Sequence, residues 1–258
     1  LGDVDGDGDL DIVTANYYSS ASVLLGNGDG SFAARVDYAL PDEARSVTLG
    51  DVDGDGDLDI VTANYYSSAS VLLGNGDGSF AARVDYALPG GAASVTLGDV
   101  DGDGDLDIVT ANSYSASASV LLGNGDGSFA ARVDYALPYG ATSVALGDVD
   151  GDVDGDLDIV TANSSSASVL LGNGDGSFAA RVDYALPDEA RSVTLGDVDG
   201  DGDLDIVTAN YSSASVLLGN GDGSFAAPVD YALPGGAYSV ALGDVDGDGD
   251  LDIVTANY

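Results

Sequence analysis

Ser46-Val-Thr-Leu-Gly-Asp-Val-Asp-Gly-Asp-Gly-Asp-Leu-Asp-Ile-Val-Thr-Ala-Asn64 sets two short β-branched, apolar runs on either side of an acidic, glycine-rich loop. Runs of this length, bounded by Gly, Asp and Asn, predict strands. Reading outward from here, the unit holds four of them: Ser46–Gly50, Leu58–Asn64, Ser70–Gly74 and Arg83–Leu88. The turn between the last two is Asn75-Gly-Asp-Gly78, a hairpin signal because Asn and Gly both tolerate positive φ. It recurs at Asn27, Asn124, Asn173 and Asn220. Pro41, Pro89, Pro138, Pro187 and Pro234 follow the fourth strand, where a missing donor does least harm.

The whole unit repeats. Copies begin at Leu1, Leu49, Leu97, Leu146 and Leu195, with a partial one at 242–258 that duplicates Leu1–Tyr17. A period in the forties fits propeller blades or helical solenoids. No window offers the i, i+3, i+4 apolar spacing of a helix, so the fold class read here is all-β. It is a β-propeller-type array of four-stranded blades with a period of about 48 residues, five full blades plus a partial sixth, in one array over 1–258. The second and third strands are nearly continuous apolar runs, as in sheets covered on both faces. The fourth alternates Val84, Tyr86 and Leu88 with Asp85 and Ala87, the pattern of an outer, half-wet strand. Stability must then come mostly from stacking blade on blade.

The acidic loop is a candidate metal site. Asp51, Asp53, Asp55, Asp57 and Asp59 stand at alternate positions and would repel one another without a cation among them. The same set recurs as Asp3, Asp5, Asp7, Asp9 and Asp11; Asp99, Asp101, Asp103, Asp105 and Asp107; Asp197, Asp199, Asp201, Asp203 and Asp205; and Asp244, Asp246, Asp248, Asp250 and Asp252. A lengthened copy, counted back from its end, gives Asp150, Asp152, Asp154, Asp156 and Asp158, with Asp148 and Val149 ahead of the site. In the second unit, positions 1, 3 and 5 offer side-chain oxygens, Gly56 at position 6 permits a sharp turn, position 7 offers its carbonyl and position 9 closes the shell. The opening matches an EF-hand loop, but position 12 is Thr62 rather than Glu and the flanks are strands. Oxygen-rich, flexible loops suit Ca²⁺ better than Mg²⁺, at about one ion per loop.

The formal charge of −39, from 45 acidic and 6 basic residues, supports this reading. Thirty of the acids lie in the loops, and six Ca²⁺ would bring −39 to −27. Such a field excludes nucleic acid and anionic lipid as direct partners. With no run of 18 apolar residues, no helical membrane span is expected. The absence of Cys removes disulfides and thiolate chemistry, and the absence of His removes the commonest general base. Loops of moderate calcium affinity suit millimolar calcium, hence an extracellular or cell-surface location. Opening on Leu1 without Met or a signal peptide is expected of a processed product or of a segment of something longer.

The D-x-D-x-D-G-x-x-D loop, followed by Leu-Gly-Asn-Gly-Asp-Gly-Ser-Phe-Ala-Ala, resembles the FG-GAP/VCBS repeat of integrin α-chain propellers and many bacterial surface proteins. Ser224-Phe-Ala-Ala-Pro-Val-Asp-Tyr231 matches it best, and the other copies carry Arg in place of Pro228. The resemblance implies a propeller with calcium loops on one rim, used for adhesion, ligand binding or scaffolding. Family members commonly close with seven blades, so the count here departs from the pattern. Three readings of the ends stay open. Ser239–Asp244 supplies the strand that the opening blade lacks, closing five blades; or a six-bladed body misses two strands; or an open array is completed by the next chain, the geometry of a filament.

Two positions vary between repeats: the loop after the second strand (Tyr17-Tyr18, Tyr65-Tyr66, Ser113-Tyr114, Ser164-Ser165, Tyr211-Ser212) and the segment after Pro (Asp42-Glu-Ala-Arg45, Gly90-Gly91, Tyr139-Gly140, Asp188-Glu-Ala-Arg191, Gly235-Gly236). Tyr and Ser make adaptable contact surfaces for sugars or proteins. Asn163 and Asn210 head N-glycosylation triplets. Phe32, Phe80, Phe129, Phe178 and Phe225 read as packing residues, and Arg35, Arg83, Arg132 and Arg181 as partners of a neighbouring carboxylate. Since every Asp cluster is copied in one role, no catalytic constellation stands out. The expected function is a non-enzymatic, calcium-binding propeller with a protein or glycan ligand. The alternative is a structural unit assembling head to tail with copies of itself.

Overall fold

A computed structural model describes residues 1–151 and 155–257. Every regular element among them is a strand. The first sheet has three: β1 (Ile12–Asn16), β2 (Ser20–Leu24) and β3 (Val36–Ala39). Four four-stranded sheets follow: β4 (Ala44–Gly50), β5 (Asp59–Asn64), β6 (Ser68–Leu72) and β7 (Val84–Ala87); then β8 (Ala92–Gly98), β9 (Asp107–Asn112), β10 (Ser117–Leu121) and β11 (Val133–Ala136). The next are β12 (Ala141–Gly147), β13 (Asp158–Asn163), β14 (Ser166–Leu170) and β15 (Val182–Ala185); then β16 (Ala190–Gly196), β17 (Asp205–Asn210), β18 (Ser213–Leu217) and β19 (Val229–Ala232). A two-stranded sheet, β20 (Ala237–Gly243) and β21 (Asp252–Asn257), ends the order.

Each sheet is an antiparallel meander in chain order. The inner strand carries a register shift near its start, between Ala44 and Ser46 in the second sheet, a bulge that raises local twist. The turn after the third strand departs from the two-residue hairpin. Positive φ falls on Gly76 and Gly78, not on Asn75, and Asn75 N–H instead donates to Ser79 O at 3.1 Å, with a bridge from Gly74 to Phe80 closing the loop.

The chain forms two compact units. One comprises Leu1–Asp99, Asp103–Ser115 and Ser119–Tyr135; the other comprises Val100–Gly102, Ala116–Ala118 and Ala136–Tyr258. Within each, successive sheets stack face to face. In the first, Val61, Ala63, Ala69 and Val71 of one sheet pack with Val95, Ile108 and Leu121 of the next. In the second, Val160, Ala162, Ala167 and Val169 pack with Val193, Ile206 and Leu217. Tyr38 meets Phe80 edge-on at 5.3 Å, Tyr86 meets Phe129 at 5.3 Å and Tyr184 meets Phe225 at 5.5 Å, so those phenylalanines are packing residues. The second and third strands are buried on both faces, whereas the fourth is mostly exposed, with Val84 open to solvent and Tyr86 half-buried.

A polar ladder runs through this interior. Thr62 Oγ1 donates to Asn64 Oδ1 (3.1 Å), Asn64 Nδ2 to Ser68 Oγ (3.1 Å) and Ser70 Oγ (2.7 Å), and Ser70 Oγ to Asp85 Oδ1 (2.6 Å). Arg83, Arg132 and Arg181 pair with Asp85, Asp134 and Asp183 and reach back to the carbonyls of Ala39, Ala87 and Ala136. Buried polar groups are tolerated here because each has a partner. Asn163 and Asn210 belong to the same ladder. Both are fully buried, and each amide nitrogen donates to two serines, so the folded chain offers no accessible acceptor for the glycans that the triplets suggest.

Candidate functional site

In every sheet but the first, the acidic loop joins the first strand to the second, and its backbone is wound around its own carboxylates. Asp51 Oδ1 accepts the N–H of Gly54 (2.7 Å) and Asp55 (3.2 Å), and its Oδ2 that of Gly56 (2.9 Å). Asp59, fully buried, staples the loop to the neighbouring turn: Oδ2 accepts Val52 N–H and Oδ1 accepts Gly74 N–H, both at 2.7 Å. Asp57 turns away to lie against the hairpin, so close that a Cβ at Gly76 would come within 2.5 Å of its Oδ2. Asp55 Oδ1 accepts Asp57 N–H at 2.9 Å.

Three of the five carboxylates therefore converge. Asp51, Asp53 and Asp59 bring one oxygen each within 4.8 Å of one another, as do Asp3, Asp5 and Asp11; Asp99, Asp101 and Asp107; and Asp197, Asp199 and Asp205. Positions 1, 3 and 9 form the group, and positions 5 and 7 are not among its members. Burial pushes the Asp59 carboxyl up to about 6, against the lowering effect of the Gly74 and Val52 N–H groups. Asp158 is pushed to about 6 in the same way. Asp5, Asp53 and Asp199 are also raised, by desolvation first and by neighbouring carboxylates as well. The hairpin Asp29, Asp77 and Asp126 behave oppositely, lowered by the Ser31, Ser79 and Ser128 hydroxyls that donate to them. The two Asp-Gly motifs of one repeat thus differ in kind: one is a turn whose Asp is satisfied by a serine, the other a cluster of converging carboxylates in which burial raises individual members such as Asp53 and Asp59. An all-carboxylate set whose oxygens keep lone pairs beyond those accepting N–H groups fits a hard divalent cation.

In the lengthened loop the register differs from the one counted back from Asp158. Asp148 stands first: its Oδ1 accepts Gly151 N–H at 2.8 Å, as Asp51 accepts Gly54. Val149 N–H donates to Asp158 Oδ2 at 2.7 Å, as Val52 donates to Asp59. The converging carboxylates are Asp148, Asp150 and Asp158. The physical reason is Val149, which is buried to the same degree as Val52 and whose carbonyl accepts Gly223 N–H from the next hairpin. With the loop's entry anchored, Asp148 and Val149 belong to the site rather than ahead of it. Asp152 and Asp154, read as ligands, lie outside the described residues.

At the opposite end of the sheets the variable loops come together. Arg45 stacks over Tyr65 (4.2 Å) and reaches Tyr17 (5.9 Å), Tyr65 packs on Tyr114 (4.9 Å) with their hydroxyls hydrogen-bonded, and Glu43 pairs with Arg45. Three consecutive repeats thus supply one exposed tyrosine row in the first unit. In the second, Arg191 lies over Tyr238 (4.6 Å) and Tyr211 (5.1 Å). A six-residue strand separates the two ends by roughly 20 Å, so this surface and the acidic loops are distinct. Sequence marked these positions as variable but gave no sign that the segment after one Pro meets the second-strand loops of two repeats, or that Tyr65 links them to a third.

The FG-GAP-like repeat model matches residues 3–62, 51–110, 99–153, 152–208 and 197–255. The chain belongs to the FG-GAP-like repeat family. A search of curated proteins finds no match. Among solved structures, an Agrocybe aegerita lectin described as specifically recognising non-reducing terminal N-acetylglucosamine is 23% identical, with a TM-score of 0.66 over 98% of this chain and 72% of that one. BBS1N, solved in complex with ARL6DN, is 11% identical, with a TM-score of 0.57 over 99% and 86%. The Photorhabdus luminescens Tc holotoxin pore is 22% identical, with a TM-score of 0.51 over 99% of this chain and 13% of that one. At these identities the likeness is one of fold, and the repeats are FG-GAP repeats in a propeller-like arrangement of sheets. Among the described residues, no helix is long and apolar enough to cross a membrane.

Proposed function

We propose that these FG-GAP repeats form a non-enzymatic, calcium-stabilised scaffold that works outside the cell and presents its tyrosine–arginine surface to a glycan or protein ligand. The observation that carries this reading is the convergence of the variable residues Tyr17, Arg45, Tyr65 and Tyr114 into one exposed row, while the invariant residues build the scaffold and its acidic loops. Exposed tyrosine faces suit sugar rings and rigid protein contacts, and the lectin similarity supports the glycan version. The repeated acidic loops serve as structural metal sites, since Ca²⁺ would be held by the converging carboxylates of Asp51, Asp53 and Asp59 and by their counterparts in the other repeats. Catalysis has no candidate residue that occurs once.

Glycan-array and protein-ligand screens in millimolar calcium test this. The expected result is saturable binding, weakened tenfold or more (about 1.4 kcal/mol) by Tyr65→Ala with the fold intact by circular dichroism. Binding that ignores Tyr65 and Arg45 would refute the assignment of this surface. The second reading, a unit that assembles head to tail, draws support from the exposure of Phe32, Tyr231 and Val254, whose counterparts elsewhere are covered.

A further inference from the structure

The contacts between successive sheets within each unit are copies of one another, so the half-contacts that the first and last full sheets leave open can be named. Four features recur. A tyrosine of one sheet meets a phenylalanine of the next, as Tyr38 meets Phe80 and Tyr184 meets Phe225. A leucine of one sheet lies against a hairpin glycine of the next, as Leu25 against Gly78, Leu73 against Gly127 and Leu171 against Gly223. That same glycine donates its N–H to the carbonyl of the loop valine before it: Gly78 to Val4, Gly127 to Val52 and Gly223 to Val149. An arginine of one sheet donates to an alanine carbonyl of the sheet before, as Arg83 to Ala39 and Arg132 to Ala87.

On the first sheet the corresponding members are exposed. Phe32 is 41% exposed where Phe80 is 9%, and no heavy atom lies within 4 Å of a Cβ built at Gly30. On the last full sheet Tyr231, 55% accessible, and Ala232 are exposed, and Leu218 and the half-buried Val198 hold the other matching positions, Val198 where Val52 and Val149 are buried. The two surfaces are the two halves of the interface already made between neighbouring sheets.

The strand pairing points the same way. β1 is an edge strand, while β20 pairs through six residues with β21. Residues 242–258 are identical to residues 1–17, so β20 forms the same ladder with either Asp252–Asn257 or Asp11–Asn16. On the β1 side the single bridge between Gly2 and Asp11 would have to yield, and on the β20 side the ladder to β21. β21 is a weak holder of the place, with Ile253 at 36% and Val254 at 48% exposure.

We infer that β20 of one copy pairs with β1 of a second copy, making a complete sheet in the order β20, β1, β2, β3. Phe32 of that sheet packs on Tyr231, Gly30 seats Leu218 and bonds Val198 O, and Arg35 reaches Ala232 O. The occupant is a second copy because the two surfaces continue an interface whose other half this sequence supplies, and an open β-edge is completed by strand addition. The contact is heterologous, so it propagates into chains. This deepens the self-assembly reading and does not depend on a ligand. With a formal charge of −39 per copy, assembly strengthens with calcium and with salt.

The test uses the full chain in millimolar calcium. Phe32→Cys protein is mixed with Tyr231→Cys protein and treated with a short bis-maleimide; no other thiol is present. Covalent dimers from the mixture, but from neither variant alone, are expected. Sedimentation velocity should show concentration-dependent oligomers. Phe32→Asp, an exposed change, should weaken them by about tenfold or more, and Val254→Pro with Thr255→Pro, which frees β20 from β21, should strengthen them. Monomers at every concentration would overturn both this contact and the self-assembly reading. Oligomers indifferent to Phe32→Asp would overturn this contact alone. Cross-linking within a double-cysteine chain, with none between chains, would overturn the choice of a second copy.

Discussion

β17 and β21 are the same hexapeptide, Asp-Ile-Val-Thr-Ala-Asn, in different surroundings. Both pair with the preceding strand in one register, Leu195 opposite Ile206 and Leu242 opposite Ile253. Yet β17 is buried throughout, while β21 leaves Ile253 and Val254 exposed. β17 has β18 on its edge and packs on β20 of the next sheet, whereas β21 is the end of a two-stranded sheet. Strand formation is local, and burial is a property of neighbours, as in any quasi-one-dimensional repeat.

The largest way to sharpen that contrast is to remove the cation. At calcium about a hundredfold above Kd each site would contribute about 2.7 kcal/mol, and at about 2–4 °C per kcal/mol for a chain of this size a chelator should lower Tm by more than ~10 °C. Asp205→Ala, which also orphans the N–H groups of Val198 and Gly219, should reproduce much of this loss, and Asp252→Ala little of it. A melt that ignores chelator would refute calcium as a structural ion.

Next in size is the core itself. Ile206→Ala should cost about 2–5 kcal/mol, and Ile253→Ala less than about 1, compared by urea unfolding followed by circular dichroism. Equal losses would mean that β21 is covered in solution, whereas the strand-exchanged assembly, which displaces β21, predicts no loss at Ile253. Smaller again is the polar ladder. Asn210→Ala leaves Ser213, Ser215 and Thr208 short of partners in a dry interior and should cost about 1–3 kcal/mol, against a few tenths for Asn257→Ala.

The most diagnostic effect is on pH. Asp59 and Asp158 titrate near 6 in the folded chain, above the ordinary value of 3.8, so between about pH 4 and 6 the folded state binds more protons than the unfolded one. Metal-free protein should therefore lose stability as pH rises through that window. Bound calcium should flatten the dependence by compensating the ionised carboxylates. A metal-free Tm that rises from pH 4 to 6 would contradict the burial assigned to these acids.

Much of this was legible because the repeat announces itself: period, four strands, acidic loop and packing phenylalanines all follow from residue type and spacing. Strand limits shifted by one or two residues, since hydrogen bonding, not composition, sets where β5 starts. The register of the lengthened loop was read from the wrong end because Asp-Val-Asp-Gly occurs twice in succession, and the contacts that anchor Val149 are tertiary ones. Asn163 and Asn210 were read as glycosylation acceptors, yet the ladder draws them inside.

The sequence by itself determined that the chain is an array of β-sheets with one acidic loop per repeat, because alternation, turn residues and charge spacing act over a few residues. Tertiary structure alone decided which three carboxylates of each loop converge, that Arg45 and Tyr65 join tyrosines of three repeats into one row, and that one copy of a hexapeptide is core while another is surface. Those outcomes depend on what a neighbouring sheet brings into contact, and identical local sequences carry no record of their neighbours.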